Sequence, residues 1–160
     1  REVFVDGVKE RLGIEPEVIS GDEEARLSFA GATREFSRTD GPFLVVDIGG
    51  GSTEFVLGTD SVDSAISVNI GCVRMSERHF HSETPTADEI AIARRDIQNA
   101  IDIAYANVDI KGAKTLVCVA GTATTVAAAG NTHLYEVACD PAVVFSVAVK
   151  VKVLVFNEPV

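Results

Sequence analysis

At 160 residues, 46% of them hydrophobic, the chain is long enough for one well-cored domain and short for two. Its formal charge of −10, from 24 acids against 14 bases, argues against a broad nucleic-acid or anionic-membrane surface, which needs a basic face. Any phosphate site must then rest on backbone N–H groups, a few placed cations or a metal ion. Cys72, Cys118 and Cys139 are odd in number and form no Cys-x-x-Cys pair, which fits reduced thiols, with Cys118 a small core residue. No signal-peptide pattern or membrane span is legible, and the expectation is a cytoplasmic protein. The sequence opens at Arg1 already inside a helical pattern, and Met75 is its only methionine, as in a segment of a longer protein.

Residues 1 to 12 place Val5, Val8 and Leu12 on one face of a short amphipathic helix, with Gly13 as its C′ residue. Ser20-Gly-Asp-Glu23 reads as a capping box that opens a second helix. Asp22, Glu23 and Glu24 fall in its first turn, where the helix dipole favours acids, and Ala25, Phe29, Ala32 and Phe36 form its buried stripe. On periodicity alone the acidic trio needs no role beyond that.

Arg38 to Gly41 make a polar turn, and Phe43 to Val46 read as a strand buried on both faces that ends at Asp47. Gly49, Gly50 and Gly51 follow, then Ser52 and Thr53, and a strand pattern resumes through Phe55, Val56 and Leu57 to Gly58. A glycine triplet lets the backbone turn tightly and face a ligand with no Cβ in the way. Successive N–H groups in such a turn can converge on an anion, and the flanking Asp47 and Glu54 could hold a divalent cation or a water. A glycine-rich hairpin with no ligand is the plain alternative.

Val62, Ile66, Val68 and Ile70 carry a third strand to about Ile70, completing an antiparallel meander closed by Gly71-Cys72-Val73-Arg74. Arg74, just past a strand end, is either a forked phosphate ligand or a solvated surface charge. His79 and His81 lie in a polar stretch without further ligands at metal spacing, so a zinc site is not expected. Thr86-Ala-Asp-Glu89 is a second capping box, and Ile90, Ala93, Ile97, Ile101, Ala104 and Val108 extend a helix to about Asn107.

Thr115 to Ala120 is a further buried strand running into Gly121-Thr-Ala-Thr-Thr125 and a helix start over Val126 to Ala129. A strand, a Gly-Thr loop and a helix can set a helix N-terminus against a phosphate, although the threonines also suit plain capping. Two glycine-hydroxyl loops after two buried strands of one sheet would share a single crevice. Val143 to Phe156 alternates like a strand, with no function assigned.

Four stretches together resemble the exopolyphosphatase and guanosine pentaphosphate phosphohydrolase (Ppx/GppA) family: Val18-Ile-Ser-Gly-Asp-Glu-Glu-Ala-Arg-Leu27, Val46-Asp-Ile-Gly-Gly-Gly-Ser-Thr-Glu54, Asn69-Ile-Gly-Cys-Val-Arg74 and Ala120-Gly-Thr-Ala-Thr-Thr125. The resemblance implies an α/β, ribonuclease H-like lobe of the actin type, a mixed sheet with an antiparallel three-strand meander and flanking helices. It implies hydrolysis of terminal phosphate from inorganic polyphosphate or guanosine pentaphosphate, usually with magnesium (Mg2+). It also implies Glu24 as general base for the attacking water and Asp47 and Glu54 as helpers with metal and water. Gly49, Gly50, Gly51, Ser52, Thr53, Gly121 and Thr122, together with Arg74, would hold phosphate.

The family's usual first lobe carries an Asp-x-Gly-Ser/Thr-Asn-Ser loop that this sequence lacks. The expectation is therefore a single domain over 1–160, the second lobe of a two-lobe enzyme, with residues 1–20 a remnant of the preceding lobe. The missing lobe becomes an expected partner, and a homodimer is consistent with a fold family that often dimerises. The alternative function is a non-catalytic phosphate- or nucleotide-sensing lobe of the same fold, which would need no base.

Overall fold

The computed structural model describes residues 2–17, 19–129 and 150–153. Among the described residues the elements follow in the order α1 (Glu2–Leu12), α2 (Gly21–Thr33), β1 (Phe43–Ile48), β2 (Thr53–Gly58), β3 (Val62–Val68), α3 (Cys72–His79), α4 (Ala87–Asn107), β4 (Thr115–Val119), α5 (Ala120–Ala129) and β5 (Lys150–Val153). The strands form one mixed sheet in the order β3-β2-β1-β4-β5. β1, β2 and β3 are the expected antiparallel meander, β4 lies parallel to β1, and β5 lies parallel to β4. Of the strand expected over 143–156, four residues form β5 and the rest lies outside the described residues.

The sheet is covered on both faces, which is why β1 reads as an unbroken apolar run. On one face Leu44, Val46, Phe55, Leu57 and Val68 pack against Ala100, Ala104 and Val108 of α4 and its exit. Alanines at the contact let this helix lie close to the strands. On the other face Phe43, Val45, Val56 and Val117 meet Ala25, Phe29 and Ala32 of α2, the stripe expected from its spacing. Val45 and Val117, neighbours in the parallel β1–β4 pair, lie at the centre with no solvent contact. Burying each contributes roughly 1.5–3 kcal/mol.

The caps also follow the sequence, one of them fully. At α4 both arms of the box close, Thr86 Oγ1 accepting from the Glu89 N–H and the Glu89 carboxylate accepting from the Thr86 N–H at 2.7 Å. At α2 the serine arm forms, with Ser20 Oγ accepting from the Glu23 N–H at 3.2 Å.

Three expectations need correction. Residues 72–79, expected to hold the close of the meander and the start of the polar stretch around His79 and His81, form the helix α3, whose single buried residue is Met75. Eight residues with one apolar anchor leave too little periodicity to recognise. The helix is held from outside instead: Arg78 Nη1 donates to Asp96 Oδ2 of α4 at 2.6 Å, and His79 Nε2 lies 2.8 Å from the same oxygen. α5 begins at Ala120, with no intervening Gly-Thr loop, because Ala120 makes the turn from strand to helix by itself at φ +69°. Finally, α1 forms and ends at Gly13 (φ +68°, its N–H donating to Lys9 O), but buries none of its residues. Leu12, expected in its apolar face, is 69% exposed. The face exists; among the described residues little covers it.

Candidate functional site

The glycine turn joins β1 to β2 and is closed by Gly49 N–H donating to Ser52 O at 3.0 Å. Pairing across the hairpin sets Asp47 opposite Glu54 and Ile48 opposite Thr53. Side chains alternate along a strand, so Asp47 shares a face with Val45, and Glu54 with Val56. That is the α2 face. The register thus places two carboxylates side by side at the carboxyl end of β1, with the first turn of α2 above them.

Their electrostatics follow from that placement. Partial burial, then the charges of Glu54 and of Glu24, push the Asp47 carboxyl above its ordinary value of 3.8. Glu24 is exposed in the first turn of α2, near enough for its charge to be felt at Asp47. Glu54 is oriented by Ser67, whose Oγ donates to Oε1 at 2.7 Å. No ion pair among the described residues involves any of the three acids.

The triplet is bound on its other side to α3. Gly49 O accepts from the Cys72 N–H at 3.0 Å, Gly50 O from the Arg74 N–H at 2.9 Å, and Gly51 O from the Gly71 N–H at 3.3 Å. Gly51 O also accepts from Arg74 Nε at 2.6 Å. A side chain at Gly71 would collide with the Gly50 peptide, so this close approach requires glycine there. Arg74 therefore belongs to the first turn of a helix rather than to a strand end, and its guanidinium lies against the glycine turn. Thr53 is 3% exposed and its hydroxyl donates to Ile70 O at 3.2 Å, so it ties β2 to the end of β3.

β1 and β4 run parallel and end together, Asp47 beside Val119. The glycine turn and the first turn of α5, which replaces the expected Gly-Thr loop, therefore stand at one end of the sheet, on a cleft of about 550 Å³ whose walls include Gly49 and Gly50 on one side and Gly121 and Thr122 on the other. Gly121 and Thr122 stand in the first turn of α5, where backbone N–H groups have no partner within the helix. Cys72 and Thr125 also line the cleft. Sequence reasoning gave Cys72 no role and Thr125 only plain capping; both sit inside motif stretches, which was the available signal. Gly51, Ser52, Thr53, Arg74 and the three acids are not among the residues of the cleft wall; Asp47, Gly51, Ser52, Thr53 and Glu54 stand at the same end of the sheet, and Glu24 in the first turn of α2. Among the described residues no group of three or more His, Cys, Asp or Glu converges closely enough to bind a metal unaided.

A β3-β2-β1-β4-β5 sheet, helices on both faces and two glycine-bearing turns at the ends of its parallel strands define a ribonuclease H-like lobe of the actin type. A solved exopolyphosphatase-like protein superimposes on 82% of this chain and 44% of its own, with a TM-score of 0.74 and 47% identity. Exopolyphosphatase 2 of Mycobacterium tuberculosis is 48% identical over 116 residues, which are 72% of this chain and 36% of that protein. The guanosine-5'-triphosphate,3'-diphosphate pyrophosphatase of Photobacterium profundum is 37% identical over 122 residues, 76% of this chain and 24% of that protein. The Ppx/GppA phosphatase family profile matches residues 1–149. The chain belongs to the Ppx/GppA phosphatase family. It spans about a quarter to under half of the length of these relatives.

Proposed function

We propose that this chain is the second lobe of an enzyme that hydrolyses the terminal phosphate of inorganic polyphosphate or guanosine pentaphosphate, and that it supplies about half of the active site. The observation that carries the reading is the convergence at the carboxyl ends of β1 and β4. Gly49, Gly50, Gly121 and Thr122 line one cleft, while the charge of Glu24 is felt at Asp47 at the same end of β1. Phosphoryl transfer needs little covalent chemistry from the protein: an in-line water, an acceptor to orient it, and donors for negative charge spread over the phosphoryl oxygens. Glu24 is the acceptor in this reading. Its carboxylate is exposed in the first turn of α2 and open to water. The amides of the glycine turn and of the α5 first turn take the phosphate oxygens.

Magnesium fits the donor set. It is commonly held by one or two carboxylates together with substrate phosphates, and Asp47 and Glu54 supply hard oxygen donors from one sheet face. Partial burial first, then the charges of Glu54 and Glu24, raise the Asp47 carboxyl, and among the described residues no ion pair offsets its charge. When bound there, the ion would offset charge on the phosphate oxygens. The sensing alternative leaves Glu24 without a purpose.

In the complete protein, Glu24→Gln is expected to lower kcat for phosphate release from polyphosphate by about two orders of magnitude, with KM nearly unchanged. Native turnover in that variant removes Glu24 from the base role. The isolated chain should be folded and close to inactive, and co-expression with the first lobe should restore phosphate release. Full turnover by this chain alone contradicts the half-site.

A further inference from the structure

We infer that Arg74 acts as a positioning residue for the phosphate-binding turn, holding the peptide planes of Gly49–Ser52 with their N–H groups outward, and is not itself a phosphate ligand. The inference rests on the functional reading above and deepens it.

The carbonyls of all three glycines are engaged from the same direction, by Gly71, Cys72 and Arg74 at the start of α3. In a planar trans peptide the C=O and the following N–H point in opposite directions. Turning the Gly49, Gly50 and Gly51 oxygens to α3 therefore turns the N–H groups of Gly50, Gly51 and Ser52 away from it. Those amides donate to no protein group among the described residues, and Gly50 and Gly51 are exposed. Three outward amides in succession form an anion-binding concavity. The α3 N-terminus, by contrast, spends its first N–H groups on the turn and has fewer to offer a ligand.

Two of the three carbonyls are held by backbone donors alone. At Gly51 the backbone bond is the longest of the set, 3.3 Å, and the shortest bond, 2.6 Å, comes from Arg74 Nε. The orientation of the Gly51–Ser52 peptide thus depends on this side chain. With Nε committed to Gly51 O, Arg74 cannot present the Nε edge of its fork to a phosphate.

Side-chain chemistry separates the two roles. Gln places an amide nitrogen at the position of the arginine Nε and carries no charge, whereas Lys keeps the charge and has no donor at that position. In the complete protein, Arg74→Gln is expected to keep kcat/KM for polyphosphate within about threefold of native, and Arg74→Lys to lower it about tenfold or more. Inorganic phosphate titrated into the 15N-labelled chain should move the amide signals of Gly50, Gly51 and Ser52 in the native and Gln forms, and much less in the Lys form. All three proteins should melt within a few degrees of one another, because Arg74 is exposed. Equal effects of the two substitutions, a Lys variant better than Gln, or amides that ignore phosphate in the native chain would each overturn the inference. Amides that respond in the stated order in a protein without phosphatase activity would sink the hydrolase reading and leave the positioning role standing.

Discussion

Asp47 shows how a single side chain can be placed by pairing and then paid for by the fold. Register sets its carboxyl beside Glu54, and the start of α2 adds Glu24. Because its value is raised above 3.8, the folded state holds this proton more tightly than the unfolded chain. Stability from this group therefore falls as pH rises from 3.8 through the raised value, and the cost persists at neutral pH. Asp47→Asn is expected to raise Tm at pH 7, with the gain fading as the pH approaches 3.8; a lower Tm at pH 7 would show that the carboxylate is compensated by groups that offset its charge. Saturating Mg2+ should raise the Tm of the native chain and do less for the variant. Ala120 is the second residue whose geometry matters here. A non-glycine residue at φ +69° is costly, and it stands where strand becomes helix at the cleft, as strained residues often do at functional sites.

Among the elements, α4 and α3 differ in how they are held. α4 carries its own start signal. The Glu89 carboxylate accepts from the Thr86 and His81 N–H groups and from the Thr86 and Ser82 hydroxyls, which lowers it from 4.5 to about 2. That stabilisation is present above pH 4.5 and is lost as pH falls through about 2. Glu89→Gln should therefore melt below the native chain at pH 7, and the two curves should converge as the pH falls from 4.5 toward 2. A difference that stays constant with pH would count against the charged cap. α3 has no such local signal, its N-cap Gly71 making no side-chain cap bond. Its place comes from contacts distant in sequence, the glycine turn at one end and Asp96 at the other. This is why the second capping box located α4 to the residue while α3 went unread.

At the scale of the molecule, the core lies in the two-faced sheet with α2 and α4, and α1 adds no buried residue to it. Deleting residues 1–13 is expected to leave the stability within about 0.5 kcal/mol of the native chain, read from denaturant midpoints. A larger loss would mean that α1 packs on the domain in solution. The net charge of −10 gives the chain a field that repels polyanions, so its affinity for any of them would rest on local amides and placed cations. No helix among the described residues is long and apolar enough to cross a membrane.

What the sequence determined by itself was whatever local chemistry encodes: apolar periodicity for α2, α4 and the buried strands, Ser20 and Thr86 as caps, glycines where a turn must be bare. The two glycine-bearing segments were also legible one by one, because each follows a buried strand. Tertiary structure alone decided the rest. Register put Asp47 against Glu54, parallel pairing of β1 with β4 brought the two turns to one cleft, and packing of α3 on the glycine turn gave Arg74 its partner. Those are contacts between residues far apart in the chain, and their energy depends on relative position, which no local pattern of side chains carries.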